Sequence, residues 1–179
     1  IVNQIYKEYP RLKKKINLLY APTFRSDGRN NADELIKNID SDKYNLIISL
    51  HPKDIAKKDD KVICIDRDKY TTFDFIRVSD YVITDYSAVA VDSCILNKKV
   101  IFYVYDYDQY NKENGINIDL FKELPGCTFR NIKDMVNMLD NNKYNEQAFQ
   151  KFRKKYVTNL NGGSTNKLIK LIEENLWKR

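Results

Sequence analysis

The sequence predicts an α/β fold in which a parallel sheet is covered by helices on both faces, and two observations support this prediction. First, five short apolar runs are continuous instead of alternating, as in strands that are buried on both sides. Second, segments with helical spacing separate most of these runs, and alternation of strand and helix is the pattern of a doubly wound sheet. The predicted strands cover residues 16–20, 46–50, 62–65, 81–84 and 100–105.

Three helices are predicted between the strands, over residues 31–39, 72–78 and 87–96. In the first, Leu35, Ile36 and Ile39 recur on one face, which would pack against the sheet. Ser87 is expected to be the N-cap of the third helix, because its hydroxyl can accept a hydrogen bond from an unpaired backbone N–H.

The pattern loosens after residue 106, where we expect a long ordered excursion with a short helix over residues 107–124. A turn at Pro125-Gly126 then leads to a last short strand at 127–129. Three helices are predicted to close the chain, over residues 131–140, 145–158 and 165–177, with Ser164 or Thr165 as the N-cap of the last. The chain, residues 1–179, is thus expected to be one domain, with the helices of residues 131–179 packing on it.

Charge limits the classes of partner. The 179 residues carry a formal net charge of +6, which favours an anionic partner such as a nucleic acid, an anionic polymer, an acidic membrane surface or a phosphorylated substrate. The alternative is a set of lysines on solvated faces with no partner. No apolar stretch reaches the roughly 18–20 residues that span a bilayer. Because the chain begins at Ile1 within a run that looks structured, we expect it to be a fragment of a longer protein.

The cysteines indicate the cellular compartment, and the aromatic residues bear on the class of partner. The three cysteines, Cys64, Cys94 and Cys127, are far apart and lie in apolar contexts. Buried free thiols in a reducing compartment, the cytosol, explain them better than disulfides. The 13 tyrosines could suggest base stacking, but no RNA-binding signature accompanies them, so nucleic acid is not expected as a partner.

Polar residues that follow the predicted strands are the candidates for chemistry, because ligands of open parallel sheets bind beyond the C-terminal strand ends. Thr23 and Arg25 follow the first strand, and an arginine can bind a phosphate through two parallel hydrogen bonds. The alternative is an arginine on a surface loop. His51, the one histidine of the sequence, follows the second strand, where it could donate a proton to a ligand or have a structural role.

The fourth predicted strand ends in the polar turn Asp85-Tyr-Ser87. Unpaired backbone N–H groups and the positive end of a helix dipole meet at such a turn, so it is a candidate anion site; a helix cap without a ligand is the alternative. Ser164 and Thr165 follow two glycines and form a weaker candidate of the same kind. The sequence contains no phosphate-binding lysine loop, no GxGxxG and no Cys/His cluster. We therefore expect neither a metal ion nor a cofactor.

Six segments that occur in one order resemble a known family. They are LLYAPTFRSDG, SLHPKD, VSDYVITDYSAVAVD, KKVIFYVYDYDQY, ELPG and NGGSTNKLIKLI. Together they resemble the C-terminal half of the CDP-glycerol glycerophosphotransferases, the teichoic acid primases and polymerases. The resemblance implies a GT-B architecture of two Rossmann-like domains, of which this chain would be the C-terminal, nucleotide-donor domain.

The same resemblance implies roles for individual residues. CDP-glycerol, or a related CDP-polyol, would bind at the strand ends, with Arg25 at the position of the family's arginine. His51 matches the histidine of an HP motif, which is expected to contact the pyrophosphate and to help CMP leave, and is therefore the catalytic candidate. Ser87 and Ser164 match serines that are expected to hold phosphates. The general base is expected in the N-terminal half of the family's proteins.

Two positions depart from the family pattern. Ala88 stands where the family usually has a second serine, so one hydrogen bond to phosphate would be missing while the backbone N–H remains. Lys167 stands where an arginine is frequent, which preserves the charge but not the planar fork of donors. We expect weaker donor binding or a changed donor.

The resulting hypothesis is transfer of glycerol phosphate, or a related polyol phosphate, from CDP-glycerol to a hydroxyl of a lipid-linked teichoic-acid-type or capsular polymer. An acidic membrane surface would be a second partner, and the protein would be cytoplasmic and peripheral on the inner face of the cell membrane. One alternative is a nucleotide-sugar glycosyltransferase or epimerase of the same fold. Another is a non-catalytic basic module that binds membrane or polymer.

Overall fold

The structure is a computed structural model that describes residues 1–50, 60–159 and 161–176. Its strands in these residues are β1 (Ile16–Tyr20), β2 (Tyr44–Ile48), β3 (Val62–Cys64), β4 (Tyr81–Thr84), β5 (Lys99–Tyr103) and β6 (Thr128–Phe129). Its helices are α1 (Val2–Glu8), α2 (Ala32–Asn38), α3 (Thr72–Val78), α4 (Val89–Ile95), α5 (Tyr107–Asn114), α6 (Leu120–Glu123), α7 (Ile132–Asp140), α8 (Glu146–Tyr156) and α9 (Ser164–Leu176). A short 3₁₀ helix spans Pro10–Lys13.

The strands form one parallel sheet in the order β3-β2-β1-β4-β5-β6. From β1 the chain builds the sheet outward to β2 and β3, and it then returns to the other side of β1 to add β4. The direction of winding therefore reverses between β1 and β4. This is the switch point at which open α/β sheets bind ligands.

Both faces of the sheet are covered by helices, which confirms the predicted fold class. Successive strand residues point to opposite faces, and Leu18 and Leu19 of β1 accordingly belong to different buried clusters. Leu18 lies in the cluster with α2 and α7. Leu19 lies in the cluster with α1 and α3, and α4 and α8 cover β5 on the same side through a third cluster around Phe102.

Strand β2 begins two residues earlier than predicted. Asn45 is buried within it, where the side-chain Nδ2 donates to Asn17 Oδ1 of β1 at 2.8 Å. Tyr44 and Asn45 pair with Ile16 and Asn17 across the parallel ladder. A hydrogen-bonded side-chain amide can be buried at low cost, and a search for apolar runs misses it.

Three further predictions need correction. The segment 107–124 contains two helices, α5 and α6, where one was expected. Strand β5 ends at Tyr103 and not at Tyr105, because the chain turns there into the start of α5. Cys64, expected to be buried, is exposed at the end of β3, whereas Cys94 and Cys127 are buried as free thiols.

Helix α9 differs from the other closing helices. Helices α7 and α8 pack on the sheet through Met135 and Phe149, but every residue of α9 is exposed. The sheet faces are already covered by other helices, so the apolar side of α9 has no uncovered strand to pack on. Neither α9 nor another helix of the described residues is long and apolar enough to cross a membrane.

Candidate functional site

Asp85 joins the ends of the two strands at the switch point. Its side chain is 1 % exposed. Oδ1 accepts hydrogen bonds from the backbone N of Thr23 at 2.8 Å and from the Thr23 hydroxyl at 2.6 Å. The same oxygen accepts from the backbone N of Tyr86 at 2.7 Å. The turn after β4 is thereby tied to the loop after β1, as the positions of these residues after neighbouring strands predict.

Arg25 is buried in this cluster, with its side chain 7 % exposed. Nη2 lies 2.9 Å from Asp85 Oδ2, and Nη1 donates to the Thr23 carbonyl at 2.7 Å. Nε and Nη2 donate to the two carboxylate oxygens of Asp106 at 2.9 and 3.1 Å. The bidentate partner of the guanidinium in this structure is therefore the Asp106 carboxylate. Burial alone would lower the pKa of Arg25, but its bonds to Asp106 and the charge of Asp85 raise it above the ordinary value.

Two tyrosines lie beside the guanidinium. The rings of Tyr86 and Tyr110 are stacked, with centroids 3.8 Å apart and planes within 15°. The Arg25 guanidinium carbon lies 4.8 Å from the Tyr110 centroid and 5.4 Å from that of Tyr86, within the range of cation–π attraction. The Tyr86 hydroxyl donates to Asp106 Oδ1 at 3.1 Å, and burial together with that carboxylate raises the pKa of Tyr86.

The start of α4 corrects the predicted cap. The N-cap residue is Ala88, in a right-handed helical conformation (φ −60°, ψ −14°), and it makes no side-chain cap bond. Ser87 precedes it, and its Oγ accepts from the backbone N of Val89 at 3.3 Å. The serine thus closes a local turn one residue before the N-cap, and the prediction that it caps α4 is wrong.

A half-open cavity of about 450 Å³ lies beside this turn, within the size range of small-molecule sites. The predicted residues Asp85, Ser87 and Ala88 all line it. The opposite wall comes from α5, from the segment that follows it and from α8; it includes Tyr110, residues 115–118, Phe152 and Tyr156.

Other predicted residues are not gathered at this cavity. His51 lies outside the described residues, so the structure does not place it. Ser164 and Thr165 are exposed at the start of α9, and neither lines the cavity. They are the first residues inside the helix and not its cap, because Gly163 O accepts the first helical bond, from Lys167 N at 3.1 Å. Ser164 Oγ is bonded to Asn159 Nδ2 at 2.8 Å.

Several residues at this edge of the sheet were not predicted from the sequence. Asp106 follows the predicted strand 100–105 directly and lies three residues beyond the observed end of β5, so the criterion that selected Asp85 applies to it as well. Tyr86 and Tyr110 carry no motif that predicts stacking. Within the described residues, no group of three His, Cys, Asp or Glu side chains is arranged to hold a metal ion.

Comparison with known proteins identifies the family. Residues 2–174 match the family model of CDP-glycerol:poly(glycerophosphate) glycerophosphotransferases. The chain belongs to this family. The resemblance of the six sequence segments is thereby confirmed.

Two curated relatives match most of this chain. The chain is 30 % identical over 172 residues to a teichoic acid glycerol-phosphate primase of Bacillus subtilis, covering 90 % of this chain and 44 % of the primase. It is 29 % identical over 185 residues to a teichoic acid poly(ribitol-phosphate) polymerase of Bacillus spizizenii, covering 94 % of this chain and 29 % of the polymerase. The chain thus spans less than half the length of these relatives.

A solved structure of the wall teichoic acid polymerase TagF, soaked with CDPG, shares the fold. The TM-score is 0.70 with 25 % identity, and the match covers 98 % of this chain and 47 % of the polymerase. The chain described here therefore has the architecture of about one half of that enzyme.

Proposed function

We propose that this chain supplies the donor site for transfer of a polyol phosphate from a CDP-polyol, CDP-glycerol in the first place, to a hydroxyl of a lipid-linked teichoic-acid-type or capsular polymer. The observation that supports this most directly is the cavity beside the turn after β4. Asp85, Ser87 and Ala88 line it, and the chain belongs to a family that is named for this transfer.

The turn offers the donors that a diphosphate needs. In the described residues, the backbone N–H groups of Ser87 and Ala88 make no hydrogen bond. Both lie at the start of α4, where the helix dipole favours an anion. We assign these two N–H groups and the Ser87 hydroxyl to the donor phosphates. We propose Ser164 and Thr165, at the start of α9, as a second contact to phosphate.

Arg25 contributes its charge from a fixed position. With Asp85 and Asp106 it forms a group of one cation and two carboxylates, which has a formal charge of −1. Attraction for a diphosphate therefore depends mainly on the N–H groups of the turn and on cations outside this group. His51, after β2, is proposed as one of these.

The proposed reaction is a phosphoryl transfer. A hydroxyl oxygen of the acceptor attacks the β-phosphorus, which bears the glycerol, and forms a new P–O bond. The bond from that phosphorus to the bridging oxygen breaks, and its electron pair leaves with CMP, where His51 would neutralise the charge by donating a proton. The acceptor proton would pass to a base in the half of the relatives that this chain does not match.

We also propose an acidic membrane surface as a partner, with the protein peripheral on its cytoplasmic face. The net charge of +6 and a lipid-linked acceptor favour this placement. The test is binding to anionic vesicles with and without salt. Salt-sensitive vesicle binding without affinity for any nucleotide would favour the non-catalytic alternative over the transferase.

Calorimetry with CDP-glycerol tests the donor site. The parent chain is expected to bind, and Ser87→Ala and His51→Ala are each expected to weaken binding by roughly tenfold or more, since a hydrogen bond to a charged group contributes about 1.5–3 kcal/mol. Ser41→Ala, at the opposite edge of the sheet beyond α2, is the control and should leave the affinity unchanged.

If both site variants bind CDP-glycerol as tightly as the parent chain, the assignment of the site is wrong. The same titration with CDP-ribitol and UDP-sugars compares donors. Preference for a UDP-sugar would favour the glycosyltransferase or epimerase alternative.

A further inference from the structure

Asp106 is placed at the start of a helix but does not cap it. It is the N-cap residue of α5, and its carboxylate makes no cap hydrogen bond. Aspartate at this position usually accepts a bond from the first turn of its own helix. Here the side chain, 6 % exposed, turns away from α5 and toward the candidate site.

The carboxylate binds groups from two other strand ends. It accepts from Arg25 Nε at 2.9 Å and Nη2 at 3.1 Å, and from the Tyr86 hydroxyl at 3.1 Å. Arg25 belongs to the loop after β1 and Tyr86 to the turn after β4. Asp106 itself follows β5, so three of the segments at this edge meet at one buried carboxylate.

One partner of Asp106 lines the proposed donor cavity, and the other is one contact away from it. Tyr86 lines it beside Ser87, and Arg25 is bonded to Asp85, which also lines it. We propose that Asp106 is a positioning residue for donor binding, whose carboxylate fixes Arg25 and Tyr86 and thereby the turn that receives the phosphates. This inference rests on the proposed function.

A positioning role of Asp106 and a simple charge effect predict opposite changes in donor affinity. Asp106 adds a negative charge beside an anion site, so charge alone predicts that its removal would tighten the binding of a diphosphate donor. Positioning predicts the opposite for Asp106→Asn, because the amide has one acceptor oxygen in place of the two that Arg25 and Tyr86 share, and the bidentate bond to the guanidinium is lost. The geometry of the turn then becomes less fixed before the donor arrives.

The experiment is calorimetry of this chain with CDP-glycerol. Asp106→Asn is expected to weaken binding by about tenfold. Asp108→Asn is the matched control: it lies two residues further on with a side chain 81 % exposed, and its partner is Arg130 at 2.7 Å. It makes the same change of charge outside the cluster, and its affinity should stay within about twofold of the parent.

Tyr86→Phe keeps the stacked ring and removes only the hydroxyl, so it should weaken donor binding several-fold even if Asp106→Asn does not fold. Because Tyr86 and Asp106 are bonded to each other, the effects in the double variant should be less than additive. Thermal melts in parallel identify a merely structural role, which would lower the melting temperature but leave the affinity of the folded chain unchanged.

Each outcome decides a different claim. If the parent chain does not bind CDP-glycerol, the proposed function fails and the inference fails with it. If the parent binds and Asp106→Asn binds equally well or more tightly, only the role of Asp106 is overturned. An unchanged affinity in Tyr86→Phe overturns the part of the proposal that runs through Tyr86.

Discussion

The hydroxyl of Tyr105 is buried without a hydrogen-bond partner among the described residues. The centroid of the Tyr105 ring lies 5.5 Å from that of Tyr103 and 6.0 Å from the guanidinium carbon of Arg25. Burial raises the pKa of Tyr105 to about 12, so the group stays neutral. A buried hydroxyl that loses water without gaining a partner lowers stability.

Tyr105→Phe is therefore expected to leave the free energy of unfolding unchanged or to raise it by up to about 1 kcal/mol. Tyr144→Phe is the matched comparison, because its hydroxyl donates to the Val100 carbonyl at 2.8 Å; its loss should cost about 1 kcal/mol. Urea unfolding measures both. A loss in Tyr105→Phe as large as that in Tyr144→Phe would mean that a bound water or another group satisfies the hydroxyl.

Part of the candidate site could be predicted from single residues of the sequence. Asp85 and Ser87 could be predicted because they follow a continuous apolar run, and the strand-end rule needs only the end of that run. Asp106 follows its apolar run in the same way, so the rule reaches it as well. Its bonds to Arg25 and Tyr86 could not be predicted, because they depend on which strand ends are neighbours in the sheet.

At the scale of elements, α9 is a helix whose large apolar residues are exposed. They are Leu168, Ile169, Leu171, Ile172 and Leu176. Their spacing predicted the helix correctly. Periodicity shows that one face of a helix is apolar, but it does not show what covers that face. Helices α7 and α8 show the same kind of pattern and are covered.

Leu171→Ala is expected to change the free energy of unfolding by less than about 0.5 kcal/mol, because the side chain is 57 % exposed. Leu139→Ala, the same change on the buried face of α7, should cost about 2–5 kcal/mol. Chemical denaturation of the two variants measures the difference. A large cost for Leu171 would show that this helix is packed in solution.

At the scale of the whole molecule, the chain spans less than half the length of the relatives that it matches. It covers 44 % of the glycerol-phosphate primase and 47 % of the polymerase structure. The site described here lies at the C-terminal edge of a single sheet. No residue in the described part of the chain was identified as a base for the acceptor hydroxyl.

The isolated chain is therefore expected to bind CDP-glycerol and to release no CMP when a lipid-linked acceptor is added, since the acceptor hydroxyl is neither positioned nor deprotonated. Radiolabelled glycerol phosphate in the polymer fraction is the measurement. A full-length relative serves as the positive control. Polymer synthesis by the chain alone would contradict the expectation.

The buried amide of Asn17 has a consequence for the site at the far end of its strand. Its Nδ2 donates to the Val78 carbonyl and its backbone N to Asp80 Oδ2, both at 2.8 Å, which locks β1 against the entry to β4. A slip of one residue would shift the strands by about 3.3 Å and separate Thr23 from Asp85. The register of β1 and β4, and with it the alignment of the proposed phosphate-binding turn, is thus fixed by a side chain at the opposite edge of the sheet.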